Sequence, residues 1–561
     1  MIKSFVEYVN DKTIIEFLVK ERVKIAASGT ILKKGRLSDI EREIRSHMPP
    51  RNTWRRVRKK TRDEITSTAV LNKIALRNTV RYDLEKYGEN SADAPDYLKK
   101  LRLFIDEIKA MVDSDAPIDL SGQIRVMAQF KKNDGDTAIY RPLSPYKTLK
   151  TKALITLASA YLTKYLDDCL HEEILAYRPK RVYHGCYCTT SGDDAIYGIK
   201  DFLAAHPGQA IYVAECDIQK FYDVINHDVV MRCFREIAQQ ARLPRIHEVE
   251  RILKAYLDSY SFQKDVMRLN DNESFWAQYR NKQKKQTTKF CRFEWVSDEC
   301  LRACYGNDEE LAACRSSLGV PQGGALSCVI ANIVLNSVDK VITGQPDKER
   351  FFVRYGDDIL LAHTDYDKCK ELIEAYARSL EEHRLPYHPF RPLGGCKTGD
   401  KPGKEFWDIK SKAPFLWGPG EGNAFEWVGF VGYEVRYTGE ARLRLSTLNK
   451  KFGAINKRYH SCILEKTPKD FKGYMKANRS KLKRLPSSMV RFPALDKNMY
   501  SIQQMKSLDR YRLTKILRLQ DKLDLKFGGI AQKTGFPIDI EETFVSQWYR
   551  GEAFSFYRQL K

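Results

Sequence analysis

Two adjacent carboxylates stand at a predicted turn in the segment FFVRYGDDILLAH, at Asp357 and Asp358. Apolar residues flank Tyr355-Gly356-Asp357-Asp358 on both sides, which predicts a β-hairpin with two acids at its tip. Adjacent carboxylates repel each other unless a cation lies beside them. Oxygen clusters of this kind, completed by phosphate oxygens, are the ligands that Mg²⁺ prefers. The segment therefore predicts a site for a divalent metal ion.

A third carboxylate, Asp217, ends the apolar run AIYVAECD. This pattern predicts an acid at the end of a buried strand. Two metal ions about 3.5–4 Å apart could be bridged by Asp217 and a hairpin aspartate. One ion would activate a hydroxyl nucleophile, and the other would stabilise a leaving pyrophosphate in an in-line displacement. The three acids together predict phosphoryl transfer.

A second Gly-Asp-Asp, at residues 192–194, provides an internal comparison. It follows Ser191 and precedes AIYGIKDFLAAH, a helical pattern. Acids in a first helical turn favour the helix dipole, and serine is a common N-cap. We therefore interpret Asp193 and Asp194 as structural.

The elements that must position the acids follow from the apolar periodicity. Residues 1–120 are predicted to be helical. Strands are predicted for IRVMAQF, TAIYRPLS, AIYVAECDI, FFVRYGDDILLAHT and FEWVGFVGYEV, the first two forming a hairpin around 132–136. Helices are predicted for KTLKTKALITLASAYLTKYLDDCL, GGALSCVIANIVLNSVDKVI and YDKCKELIEAYARSLEEH. Residues 240–317 lack a strong periodicity and are interpreted as an insertion, and residues 392–422 as a Gly/Pro-rich loop.

Positive charge is concentrated at the C-terminal end. The net charge is +23, and residues 441–561 hold 27 Lys/Arg against 10 Asp/Glu, an excess of +17. Segregated basicity of this kind indicates a polyanionic partner. Aromatic residues interleave with these charges, and many of them are expected to belong to an ordinary helix core.

Cysteine usage and hydropathy indicate the compartment. Thirteen cysteines show no framework spacing, which is typical of reduced cytosolic thiols. Paired C-x2-C knuckles are absent, so a zinc site built from Cys291, Cys300, Cys304 and Cys314 is the weaker alternative. No run approaches the roughly 18 apolar residues of a membrane span, and the N-terminus does not resemble a signal peptide. We therefore expect a soluble cytoplasmic protein without a membrane partner.

In chain order, these segments resemble the successive motifs of reverse transcriptases. The palm motifs are Asp217-x3-Phe221-Tyr222, the run GVPQGGALS at 319–327, and Tyr355-Gly356-Asp357-Asp358. Upstream, Tyr140-Arg141-Pro142 through Lys150, and YRPKR at 177–181, resemble the fingers motifs of bacterial retron and group II intron enzymes. The run FEWVGFVGYEVRYTGEARLRLS at 425–446 is similar to the segment that closes the palm. The resemblance covers roughly residues 130–450 in the correct order.

The resemblance implies roles at the matching positions. Asp217, Asp357 and Asp358 would be the catalytic residues. Together with Ile218 they would hold two Mg²⁺ ions, with Mn²⁺ as a substitute. Among the nucleotide-binding residues, the ring of Tyr222 would lie under the sugar and exclude a 2′-hydroxyl.

The remaining implied contacts surround the incoming nucleotide. Phe221, Gln322 and Gly323 would line its pocket, since small residues let the backbone approach closely. Arg141 and Lys150 would neutralise the triphosphate. A lysine that protonates pyrophosphate is also expected, and the sequence leaves Lys397 and Lys410 as alternatives.

The implied fold class is α+β, a right-hand polymerase with fingers, palm and thumb. We expect an N-terminal helical extension at 1–120, fingers at 121–215, and a palm at 216–435 interrupted by the insertion. A helical, basic thumb and C-terminal region would follow at 436–561. The palm sheet should be antiparallel and packed on helices from 322–341 and 366–383.

The layout most resembles the bacterial unknown-group reverse transcriptases, including those that act in antiphage defence. The implied function is RNA-directed DNA synthesis with an RNA template, in this group a structured non-coding RNA, and with non-standard templating or priming open. Deoxynucleotides would be the substrates and DNA the product. Self-association stays open, with 1–120 and 240–317 as natural contact regions.

Three alternatives remain. A retron or group II intron-like enzyme would share these motifs. An RNA-dependent RNA polymerase usually places a carboxylate where Tyr222 stands. A non-catalytic RNA-binding scaffold would not need all three aspartates and the pocket glutamine.

Overall fold

The computed structural model describes residues 2–28, 38–65, 68–88, 91–178, 180–183, 186–189, 192–280, 290–398 and 401–462, with separate positions between 503 and 525. Within them the α-helices are α1 (Phe5–Tyr8), α2 (Asp11–Ser28), α3 (Asp39–Ser46), α4 (Lys59–Glu64), α5 (Thr68–Tyr87), α6 (Asp96–Asp113), α7 (Leu149–Leu166), α8 (Gly192–Ala205), α9 (Phe221–Val224), α10 (His227–Gln240), α11 (Ile246–Asp258), α12 (Glu273–Arg280), α13 (Asp298–Tyr305), α14 (Asp308–Cys314), α15 (Ala325–Thr343), α16 (Tyr366–Glu382), α17 (Lys404–Asp408) and α18 (Leu445–Cys462). The strands are β1 (Met127–Asp134), β2 (Thr137–Leu143), β3 (Lys180–Tyr183), β4 (Cys186–Thr189), β5 (Tyr212–Asp217), β6 (Phe290–Phe293), β7 (Arg350–Tyr355), β8 (Asp358–His363), β9 (Lys397–Thr398), β10 (Lys401–Pro402), β11 (Lys412–Trp417), β12 (Ala424–Phe425), β13 (Trp427–Phe430), β14 (Tyr433–Arg436) and β15 (Ala441–Leu443).

The N-terminal extension is helical in its described residues, as its periodicity predicted. Helix α1 begins with a capping box in which Ser4 and Glu7 satisfy each other's backbone N–H groups, and Ser38 and Glu41 do the same for α3. The extension packs on α7, where Tyr161 contacts Phe5 and donates to a backbone carbonyl at Lys3. The extension therefore shares its core with the fingers and palm helices.

A five-stranded sheet carries the aspartates, in the order β12-β11-β5-β8-β7. Its β11-β5, β5-β8 and β8-β7 pairs are antiparallel, and β11-β12 is parallel. The antiparallel palm sheet is thus confirmed for the strands that carry the acids. Strand β11 falls in the stretch expected to be a Gly/Pro-rich loop, so that expectation was wrong.

Helices α15 and α16 form the layer beneath the sheet. Helix α16 packs on β5 and β8, and α15 packs on α16, α10 and α7. Helix α15 has the length and hydropathy of a membrane span, with a mean hydropathy of 1.6, which corrects the expectation that no run comes close. However, 67% of the most apolar 18-residue stretch of this helix is buried inside the fold. The helix also carries the buried polar residues Asn332 and Asp339. It serves here as a core helix.

The fingers sheet draws on a distant part of the chain. Strands β1 and β2 form the expected hairpin, with Gly135 at φ +55° in its turn. The third strand is β6, which pairs parallel with β2 along residues 137–140. The described part of 240–317 is largely helical, with α11 to α14 in this stretch, and β6 joins it to the fingers sheet.

Beyond the palm, β13, β14 and β15 form an antiparallel sheet that leads into α18. Gln504 exchanges two hydrogen bonds, both 2.8 Å, with the backbone of Leu443 at the end of β15. Most of the thumb and C-terminal region expected at 436–561 lies outside the described residues.

Candidate active site

The three aspartates lie at one end of two paired strands. Asp217 ends β5 and stands directly opposite Asp358, the first residue of β8. Residues paired in this way have Cα atoms about 4.5–5.5 Å apart. Asp357 lies in the turn between β7 and β8, after Gly356 at φ +73°, a conformation that glycine adopts without strain. The structure thus brings together the three acids that the sequence selected.

Burial and mutual repulsion raise the free energy of the aspartates in their charged form. Burial raises the pKa of Asp358 to about 7, with further contributions from Asp357 and Asp217. Burial also raises the pKa of Asp357, and Asp217 adds to that shift. Repulsion of this kind is relieved by a cation placed between the carboxylates.

Lys410 provides one such cation. Its Nζ lies 2.9 Å from Oδ2 of Asp217, and His388 Nε2 lies 3.9 Å from the same oxygen. Lys397 is instead bonded to the carbonyl of Gly420 and lies over the Phe425 ring. Between the two lysines that the sequence left open, the structure places Lys410 at the carboxylates.

The donor set fits a hard divalent cation. Among the described residues no three His, Cys, Asp or Glu side chains form a ready-made metal cage. Magnesium sites in nucleotide enzymes are usually of this incomplete kind, with one or two carboxylates and the remaining ligands from phosphates and water. The backbone at Ile218 is fixed beside the acids by its bridge to Tyr387. Asp217, Asp357 and Asp358 are the residues that could hold metal ions.

A buried arginine supports the turn that carries Asp357, and no sequence pattern marked it out. The guanidinium of Arg354, fully buried on β7, donates to the carbonyl of Gly356 at 3.0 Å. It also binds Asp339 at 2.7 Å and Asn332 at 3.3 Å, both on α15. The turn that carries Asp357 is therefore fixed to the core helix beneath it.

A second buried ion pair lies below Asp217. Lys412 on β11 binds Glu215 on β5, and the lysine side chain is 1% exposed. Its ammonium also lies over the ring of Phe406. The pair joins the strand that sequence analysis missed to the strand that carries Asp217.

Tyr222 lies in the short helix α9, five residues after Asp217. Its hydroxyl is 3.3 Å from that of Tyr177, a half-exposed residue with an unusual positive φ of 62°. Phe221, immediately before Tyr222, is buried and packs edge-on against it. The tyrosine ring is therefore held from two sides beside the aspartates, whereas Phe221 belongs to the core under it.

Gln322 is held in place by Asp223, a residue that the sequence did not single out. The side-chain amide of Gln322 donates to Oδ1 of Asp223 at 2.6 Å, and its backbone carbonyl accepts from Ser144 N at 3.1 Å. Gly323 follows at φ +83°, which favours glycine. Gln322 and Gly323 also line a cavity of about 970 Å³ between the extension and the fingers.

The two residues expected at the triphosphate behave differently. Arg141 is exposed on β2, and its charge lowers the pKa of both Asp357 and Asp223, so it faces the site. Lys150 lies in the first turn of α7 and forms an ion pair of 2.9 Å with Glu107 on α6. The charge of Arg141 therefore acts on the aspartates, whereas Lys150 is paired with a glutamate on another helix.

The four cysteines considered for zinc do not assemble. Cys291 lies on β6 of the fingers sheet, Cys300 and Cys304 lie on α13, and Cys314 ends α14. Burial raises the pKa of the Cys304 thiol to about 12. In the part of the chain that the structure describes, no cysteine-containing metal cluster is present.

The fold combines a palm sheet that has three aspartates at one end, a fingers hairpin and a layer of helices beneath the sheet. Together these features define a right-hand nucleic-acid polymerase. Residues 130–389 match the family described as "Reverse transcriptase (RNA-dependent DNA polymerase)". The chain thus carries a reverse transcriptase domain and is an RNA-directed DNA polymerase. Enzymes with this domain use divalent metal ions. No curated protein matches the chain.

Similar solved structures include yeast telomerases. Telomerase from Candida albicans, in complex with a fragment of telomeric RNA, is 13% identical over 86% of this chain and 75% of its own, with a TM-score of 0.31. The apo telomerase from Candida tropicalis is 12% identical over 91% and 81%, with a TM-score of 0.34.

Proposed function

We propose that the enzyme adds deoxynucleotides by two-metal-ion catalysis, with Asp217, Asp357 and Asp358 holding the ions and the Ile218 carbonyl assisting. The observation that carries the proposal is the pairing of Asp217 with Asp358 across β5 and β8. Mg²⁺ is the expected ion, with Mn²⁺ as a substitute. When bound, the ions would polarise the attacking hydroxyl and neutralise the leaving pyrophosphate.

The chain's own residues supply position and protons. Lys410, which is bonded to Asp217, would deliver a proton to the departing pyrophosphate. Arg141 offers a planar fork for phosphate oxygens at the edge of the site. Tyr222 closes the space that a 2′-hydroxyl would need, and Gln322 borders the pocket for the base pair.

We further propose a bacterial, cytoplasmic enzyme of antiphage defence that copies a dedicated, structured non-coding RNA. The support is the order of motifs and the segment 425–446, which resemble those of the unknown-group enzymes. Sequencing of the RNA and DNA that co-purify with the protein tests this role. A single-stranded DNA joined to a retron RNA, or cDNA of an intron, would contradict it.

The catalytic proposal is tested by a matched pair of variants. Asp357→Asn should lower DNA synthesis on an RNA template by about a thousandfold or more, because metal-assisted phosphoryl transfer loses several kcal/mol. Asp193→Asn, in the other Gly-Asp-Asp, should retain activity, since Asp193 lies in the first turn of α8 and accepts from Tyr433. Primer extension measures both, and full activity of Asp357→Asn would refute the assignment.

A further inference from the structure

Glu294 lies at the centre of three lysines from two other elements. Its carboxylate is 2.5 Å from Lys220 Nζ, 3.2 Å from Lys131 Nζ and 3.4 Å from Lys132 Nζ. The Glu294 side chain is only 19% exposed, so solvent screens these contacts incompletely. Three ammonium groups around one carboxylate leave an excess of positive charge.

This lysine cluster borders the proposed nucleotide pocket. Lys220 lies in the turn after Asp217, at φ +51°. Lys131 and Lys132 lie on β1, next to the pairing of Gln129 with Arg141. The charges of Lys220, Lys131 and Arg141 all lower the pKa of buried Asp223, the residue that holds Gln322.

Glu294 comes from the 240–317 stretch, directly after β6. The parallel pairing of β6 with β2 fixes its position beside the fingers hairpin. Its partners Lys131 and Lys220 repel each other, and burial together with Lys220 lowers the pKa of Lys131. A carboxylate at this point relieves the repulsion and joins the hairpin to the Asp217 turn.

We propose that Glu294 is a built-in counter-ion that holds the place of the nucleotide triphosphate and is displaced when the nucleotide binds. This inference rests on the proposed function and assigns a role to the 240–317 stretch within that same site. A triphosphate carries several negative charges and many acceptor oxygens, so it outcompetes one carboxylate for three ammonium groups. Displacing Glu294 costs part of that binding free energy, and the carboxylate therefore sets the nucleotide affinity.

The test is binding of inorganic tripolyphosphate to the full chain in buffer with Mg²⁺, measured by isothermal titration calorimetry. Glu294→Gln should bind roughly two- to fivefold tighter than the unchanged protein, the scale of a partly screened ion pair. The KM for deoxynucleotides should fall by a similar factor, with kcat little changed. Lys131→Gln should instead weaken binding.

Glu250→Gln is the matched control, because Glu250 lies in the same stretch, is 23% exposed and pairs with Arg235 at 2.6 Å. It should leave tripolyphosphate binding unchanged. If Glu294→Gln binds tripolyphosphate equally or more weakly, Glu294 only holds the lysines in place and the inference is wrong. Tripolyphosphate binding does not require catalysis. The binding result therefore tests the role of Glu294 even if the protein proves unable to synthesise DNA.

Discussion

At the residue scale, the proposed function makes the ring of Tyr222 the determinant of which sugar the site accepts. Because Tyr177 and Phe221 hold it, the ring cannot easily move aside for a 2′-hydroxyl. Tyr222→Ala should narrow the preference for deoxynucleotides over ribonucleotides by about 10- to 100-fold, as expected when 1–3 kcal/mol of steric overlap is removed. Competitive single-nucleotide incorporation measures the ratio. Tyr222→Phe is the control that keeps the ring, and unchanged selectivity in Tyr222→Ala would contradict the role.

Asp223 gives the fold a dependence on pH. Burial raises the pKa of Asp223 to about 7, although Gln322 and nearby cations oppose the shift. An unfolded aspartate titrates near pH ~3.9, so between about pH 4 and 7 the folded state binds more protons than the unfolded state. The stability contribution is thus present below about pH 4 and is lost as the pH rises through about 7.

Asp223→Asn should remove this dependence while still accepting the bond from Gln322. Thermal unfolding at pH 5 and pH 8, without divalent metal, should show a larger fall in Tm for the unchanged protein than for Asp223→Asn. Equal falls in the two proteins would show that Asp223 is charged throughout that range.

Among the elements, the hairpin β7-β8 depends on helix α15 through Arg354. Arg354→Met leaves Asp339 buried without its partner, which should cost about 3–5 kcal/mol of unfolding free energy. It also removes the donor to the Gly356 carbonyl, so the turn that carries Asp357 should loosen. Urea unfolding measures the cost. The double variant Arg354→Met/Asp339→Leu should recover part of it, and a double variant as unstable as the single one would contradict the account.

The elements predicted from the sequence were those with uninterrupted periodicity. Strands β5, β7 and β8 and helices α15 and α16 had long apolar patterns, and all of them formed. Strand β11 was not predicted because Pro414 interrupts its apolar pattern. The irregular register between Lys412 and Phe415 accommodates the proline. Lys412 also makes the segment look polar and therefore exposed. Its burial is explained only by Glu215, an ion-pair partner 197 residues away in the chain.

The site shows the same division between local and long-range information. The aspartates and Tyr222 could be selected because each stands at a recognisable point of a local motif. The contacts of Asp223 with Gln322, and of Glu294 with Lys220, join residues far apart in the chain. Only tertiary structure reveals such pairs, and only it separates Lys410 from Lys397.

At the scale of the whole molecule, the basic C-terminal region should make nucleic-acid binding sensitive to salt. Lys450 and Lys457 are exposed on α18, where that region begins. Lys450→Gln/Lys457→Gln should reduce the slope of log affinity against log salt by about 0.7–0.9 for each phosphate that a lysine no longer neutralises. Filter binding of an RNA–DNA duplex from low to moderate salt measures the slope.

The control variant Lys348→Gln/Lys370→Gln makes the same change in net charge on exposed residues outside this region. It should leave the slope unchanged. If both variants lower the slope equally, the duplex responds to overall charge and not to a grip by the C-terminal region.

The parallel pairing of β6 with β2 has a consequence for synthesis of the chain on the ribosome. The outer edge of β2 is complete only after a strand roughly 150 residues downstream has emerged. Until then the nascent hairpin presents open backbone donors and acceptors, the kind of template on which neighbouring chains aggregate. Fragments that end before residue 290 should therefore aggregate when they are expressed. Any division of the protein into two co-expressed pieces should keep β2 and β6 on the same piece.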